Sequence, residues 1–259
     1  MKFIGIDLGW SSGASGLCCL NWQNNQLELI ECDRQQSLND ILTWIDTQVS
    51  PSEPAIIAVD APTIIANLTG MREADKLTHK HFGRYHAGCY PANLSRPFAQ
   101  KTLEFGLRLE ARGFIHAPII ETQKLGRYQI EVFPHPATIN LFNLDRIIKY
   151  KKGKLAERQL ELMKLCQYIV DILPSLEPSL NLSFGTGKML VSCGTGILPV
   201  SGSNLPEIPT SIATLKALED QLDALLCAYI GAHWWYWGRE RNLVLGDRTT
   251  GYIVIPQGK

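Results

Sequence analysis

Residues 2–9 read KFIGIDLG. An apolar run this short, closed by Asp7, Leu8 and Gly9, reads as a buried strand running into a turn. SGLCCLNW (15–22) and QLELIECD (26–33) read as two further strands, joined at QNNQ (23–26), a hairpin-turn composition. Cys18 and Cys19 are neighbours in such a run, so they face opposite sides of the sheet. SLNDILTWIDTQV (37–49) carries apolar residues at 38, 41, 42, 45 and 49 behind Ser37, a good N-cap, and reads as an amphipathic helix. AIIAVDAP (55–62) is an apolar strand that ends at Asp60. The order β-β-β-α-β describes an α/β chain: a mixed sheet that opens with a meander, takes a crossover helix, and has further helices on its flanks.

The 259 residues are 45% hydrophobic and 19% charged, enough for one large domain, 1–259, with insertions. Net charge is zero, but its distribution is uneven. Residues 1–62 hold two basic and eight acidic side chains, residues 70–112 eight basic and four acidic, and residues 144–164 seven basic and three acidic. Residues 70–128 read as a basic, partly helical insertion broken at CYPANLSRP (89–97). YQIEVFPHPA (128–137) reads as a strand carrying Glu131 that leads into a Pro-marked turn. YKKGKLAERQLELMKLCQYIVDIL (150–173) begins as a basic cluster and becomes a helix. Residues 183–209 are rich in Gly, Ser and Pro, with GTG at 185–187 and 194–196, and read as a flexible insert. A helix over 211–237 follows, then a closing hairpin, NLVLGD (242–247) and GYIVIP (251–256).

The start meets an aspartate at position 7, so no signal peptide is read. The longest apolar stretch, 224–237, fits a buried helix better than a membrane span. Seven cysteines without a zinc-like spacing read as reduced core residues, which suggests the cytoplasm.

The chemistry centres on carboxylates. Asp7 and Asp60 end apolar strands, Glu131 lies within a third, and Asp220 and Asp223 stand three apart on the last long helix. Side chains at the carboxyl ends of strands face the crevice where ligands bind. Carboxylates gathered there repel one another and lose hydration. Binding Mg²⁺ or Mn²⁺ through oxygen ligands would relieve both costs, and paired divalent ions support phosphodiester hydrolysis. Each acid also has a plainer reading: turn chemistry for Asp7, a loop start for Asp60, a surface acid for Asp220, a buried salt bridge for Asp223, an ion pair for Glu131. Arg72, Lys76, Lys80 and Arg84 recur every fourth residue, and Lys151, Lys152, Lys154 and Arg158 form a second cluster; both suit phosphate contacts, as does His135 between two prolines. Arg72 and Asp75 share a helix face, so a simple pair is the alternative.

The β-β-β-α-β start with its strand-end Asp7 resembles the RNase H fold, and DQLDALLCAY (220–229) is similar to the acidic helix of RuvC-type Holliday junction resolvases. GIDLGW, VDAP, EVFPHPA with YKKGKLAER, and LDALLCAYIGA with GYIVIP together resemble domain-of-unknown-function family 429, described as predicted RNase H-like nucleases. That resemblance implies an RNase H-like fold, a nuclease acting on DNA or RNA, catalytic Asp7, Asp60, Glu131 and Asp223, and metal ligands at Asp7, Asp60, Asp220 and Asp223. Arg72, Lys80, Arg84, His135, Lys151, Lys152 and Arg158 would meet the substrate. A resolvase-like activity would call for a homodimer, with the aromatic last helix as a contact. Two rivals stand beside it. DLGWSSGASG (7–16) also resembles the phosphate hairpin of actin/sugar-kinase-type phosphotransferases, and a non-catalytic scaffold on the same fold would keep the acids for a structural cation.

Overall fold

The computed structural model describes residues 1–10, 13–182, 209 and 211–258. The 183–209 insert, except Pro209, and both GTG repeats lie outside the described residues. The three opening strands are β1 (Lys2–Asp7), β2 (Ser15–Gln23) and β3 (Gln26–Gln35). Asn24 and Asn25 both take positive φ, +52° and +59°. Left-handed torsion at both central positions is what a two-residue hairpin turn requires, and Asn tolerates it. Helix α1 (Leu38–Gln48) is capped by Ser37, whose side chain accepts from the Asp40 N–H. It crosses over to β4 (Ala55–Val59).

α2 (Glu73–Phe82), α3 (Ala99–Glu110) and the short β5 (Ile115–His116) follow, then β6 (Arg127–Glu131) and α4 (Pro134–Leu141). The Pro-marked turn expected at FPHPA is instead the first turn of α4. Pro at the start of a helix loses no hydrogen bond and has the right φ already. α5 (Leu155–Ile172), β7 (Leu180–Asn181), α6 (Ile212–Trp237), β8 (Asn242–Asp247) and β9 (Gly251–Pro256) complete the described chain.

Seven strands form one mixed sheet in the order β5-β6-β4-β1-β2-β3-β7. β2 is antiparallel to β1 and β3, whereas β1, β4, β6 and β5 run parallel. β8 and β9 pair separately, tied to the main sheet by a parallel bridge between Val132 and Val254.

Period-2 alternation divides the core in two. Phe3, Cys18, Leu20, Ile56 and Ala58 face α5 and α6, while Ile4, Ile6, Leu17, Cys19, Ile57 and Val59 face α1 and α3. Cys18 and Cys19 fall on opposite faces, as strand geometry demands. Six of the cysteines are free thiols, five of them buried.

α6 lies unusually close to the sheet. A Cβ on Gly5 would fall 1.9 Å from the Ala224 carbonyl oxygen, and one on Gly16 would fall 1.9 Å from that of Asp220. With Ala224, Ala228 and Gly231 on the facing side of α6, the backbones themselves make contact. This intimacy fixes how deep the α6 acids reach. No described helix is long and apolar enough to cross a membrane.

Candidate active site

The alternation that builds the core also sorts the acids. Asp7 continues the face of Phe3 and Gly5, and Asp60 continues that of Ile56 and Ala58, so both face α6. The Asp60 N–H donates to the Ile6 carbonyl at 2.8 Å, which sets the two strand ends side by side. Asp223, fully buried on α6, completes the group. Glu131 pairs in register with Val59 and shares the opposite parity.

Asp7 and Asp60 keep part of their surface open to water, although protein crowds them on most sides. Burial, with repulsion from Asp223 and from each other, holds the Asp7 carboxyl well above the usual range. Asp60 is pushed up to about 7 by burial, with Asp223 and Glu131 adding to the shift.

A cation from the chain already stands among these acids. Lys151 Nζ is 2.7 Å from Asp223 Oδ2, and its side chain is 34% exposed. Its charge also lowers Asp7 and Asp60, and the acids in return hold it protonated. The neighbouring Tyr150 hydroxyl donates to Asp223 Oδ1 at 2.5 Å. The His135 ring lies 5.7 Å from that of Tyr150; burial and then Lys151 lower its pKa to about 4, so it is neutral at pH 7. Lys151 thus meets the acids rather than open solvent.

Several other expected site residues are committed elsewhere. Asp220 is buried and receives Arg34 Nη2 at 2.8 Å and Nε at 3.1 Å, together with Lys216. Its charge is already balanced by two cations, so it is not a free ligand. Glu131 receives Arg72 Nη2 at 2.6 Å and Nη1 at 2.8 Å. Arg72 is itself buried and also binds Asp75 and the Ile64 carbonyl. It stands at the N-cap of α2, turned inward, and no phosphate reaches it. Arg158 binds Glu219 at 2.6 Å and the Tyr150 carbonyl at 3.2 Å, which anchors the Tyr150–Lys151 turn to α6. Lys80, Arg84 and Lys152 are exposed. Lys80 projects from α2, and Arg84 lies beyond the helix end and stacks on Tyr85, so the expected four-residue stripe does not share one face. Trp234 and Trp235 are core, with Trp235 against Phe3 and Trp22.

The donor set suits a hard divalent cation in kind and charge. It offers carboxylate oxygens, three acids against one ammonium, and an Asp223 Oδ2 that is buried with no hydrogen bond among the described residues, its one close partner being the Lys151 ammonium at 2.7 Å. The acids are not already closed around an ion: among the described residues no three His, Cys, Asp or Glu side chains form a ready cage. Lys151 occupies that role here. Tyr150 opens the YKKGKLAER segment, but nothing local marked it as a partner of Asp223; Gly5 and Gly16, facing the small residues of α6, carried a signal in their missing side chains.

No curated protein and no solved structure matches the chain. A family model, Protein of unknown function (DUF429), matches residues 5–249. The match runs from within β1 to the turn before β9, and takes in Asp7, Asp60, Lys151 and Asp223: the chain belongs to the DUF429 family.

Proposed function

We propose that the protein is a divalent-metal-dependent phosphodiester hydrolase of RNase H-like type, acting on nucleic acid. One observation carries the reading: Asp7, Asp60 and Asp223 share one face at the strand ends, crowded and under-neutralised by Lys151 alone. The sheet order β3-β2-β1-β4-β6 with β2 antiparallel is compatible with an RNase H-like core. Asp7, Asp60 and Asp223 would hold Mg²⁺ or Mn²⁺, which would supply charge neutralisation and an acidified water.

The chain's own residues do the rest. The Tyr150 hydroxyl orients the Asp223 carboxylate through Oδ1. Lys151, one-third exposed on a turn, pairs with Asp223 and would be free to meet the scissile phosphate where a divalent ion neutralised the acids. His135, neutral at pH 7, packs beside the Tyr150 ring and adds no charge to the site.

The test is a Mn²⁺-dependent cleavage assay on single strands, duplexes, RNA–DNA hybrids and four-way junctions. Wild type cleaves at least one substrate; Asp7→Asn and Asp223→Asn lose about 10²-fold or more, the scale of removing a principal transition-state charge contact. Absence of cleavage together with absence of calorimetric Mn²⁺ binding would sink the proposal.

A further inference from the structure

The loop that leaves β1, together with the segment before α3, carries an exposed aromatic surface that the hydrolytic site does not use. Three residues past Asp7, Trp10 is 44% exposed. Its ring rests on buried Phe98, centroids 4.5 Å apart, and meets the edge of Tyr90 at 5.5 Å. Tyr90 is itself 54% exposed. Large side chains left open side by side forgo burial that the core would reward, and such patches mark binding surfaces.

Two unpaired cations flank the rings. The Arg96 guanidinium lies 4.8 Å from the Tyr90 ring centre and donates from Nη1 to the Tyr90 hydroxyl at 3.1 Å. Its Nε is buried with no hydrogen-bond partner. Lys101 Nζ donates to the Gly9 carbonyl, directly before Trp10. Among the described residues neither cation has a carboxylate partner.

The platform is held in place. The Leu94 N–H donates to Asn67 O, Asn67 Nδ2 to Ala92 O, and the Ala92 N–H to Asp75 Oδ2. The 90–98 segment is therefore pinned to the loop leaving Asp60, as Trp10 is fixed by chain to Asp7. Three residues span at most about 10 Å, so the backbone of Trp10 stands within about that distance of Asp7.

We infer that Trp10, Tyr90 and Arg96 form a stacking subsite for an unpaired nucleobase, so that the strand entering the acidic site is single-stranded. This rests on the hydrolase reading above and names its substrate class. Aromatic rings accept any base by its π face, and adjacent unpaired cations hold the backbone without reading sequence. A duplex keeps its bases stacked inside and gives Trp10 nothing to hold.

The experiment measures anisotropy of labelled oligonucleotides with the full-length protein in EDTA. The probes are a mixed-sequence single strand, an abasic strand of the same length and a blunt duplex. The base-bearing single strand should bind about tenfold more tightly than either alternative, within the range one stacked base contributes. Trp10→Ala should erase that preference while still unfolding in one cooperative thermal transition, Tyr90→Ala should weaken it, and Trp10→Phe should retain part of it. Equal affinity for the abasic strand, a preference that survives Trp10→Ala, or no binding of any probe would overturn the subsite. Adding Mn²⁺ separates the two proposals: base-dependent binding without cleavage leaves the subsite standing and removes the hydrolase, whereas cleavage indifferent to Trp10 does the reverse.

Discussion

Lys151 answers a question that the acids alone raise. Three carboxylates drawn out of water require positive charge, and the chain provides one ammonium on a half-exposed turn, 2.7 Å from Asp223. Lysine suits this role, because a compact ammonium on a flexible stem can leave when a stronger cation arrives, whereas a bidentate arginine is held by its fork. The contrast with Arg72 is instructive. There a buried guanidinium locks Glu131 and Asp75 into a closed set. Replacing Lys151 by Met should lower metal-free stability by about 2–3 kcal/mol, below the usual 3–5 for orphaning a buried charge because Lys151 is partly solvated. Urea unfolding would measure it. Mn²⁺ should then raise the midpoint of Lys151→Met more than that of wild type. Equal shifts would mean that lysine and metal do not compete for the same acids.

At the scale of elements, the contact of α6 with β1 and β2 determines whether there is a site at all. Asp223 meets its partners only because Gly5 and Gly16 let the helix backbone rest on the strands. Gly5→Ala would put a methyl 1.9 Å from the Ala224 carbonyl, where backbone cannot yield as a flexible side chain would. The helix must lift, at a cost of about 3 kcal/mol, the upper part of the usual overpacking range. Asp223 would lift with it. We expect a reduced denaturation midpoint together with weakened Mn²⁺ binding in calorimetry. A stability loss with unchanged metal affinity would show that the depth of α6 does not set the site. The Tyr150–Lys151 turn is braced in the same manner, through Arg158 to Glu219 of α6.

Across the whole molecule, buried histidines give stability a pH dependence. His233 is nearly fully buried, with Nδ1 2.9 Å from Asn242 Oδ1, and burial lowers its pKa to about 4 from 6.5. The unfolded chain therefore takes up the proton first as pH falls. This group's contribution is whole above about 6.5 and drains away between there and about 4. His116, beside Tyr252, behaves alike. The raised carboxylates act in the opposite sense, so a variant isolates the histidine. His233→Gln should cost stability at pH 7.5, and its deficit relative to wild type should shrink as pH drops to 4.5. A constant deficit would contradict the assignment. His116 sits on the edge strand β5, and His233 lies ten residues beyond Asp223, about 15 Å along α6, so this pH response tests the core and not the chemistry.

The sequence by itself determined the local elements and their order. The apolar runs in 2–7, 15–22 and 55–59, the Asn-Asn turn and the Ser37 cap each act over a few residues, so their signals survive in one dimension. It also marked Asp7 and Asp60, because each ends an apolar strand, where a charge is costly. The tertiary structure decided which acids meet. Glu131 falls away by strand parity, a one-residue matter of register that no local pattern reports. Asp220 is neutralised by Arg34, 186 positions away. Arg72 turns inward because Glu131 waits there from β6, and Lys151 turns inward because the acids leave a deficit of positive charge. Ion pairing depends on which groups share a desolvated volume, and only the packing of α6 on the sheet, backbone against backbone at Gly5 and Gly16, defines that volume.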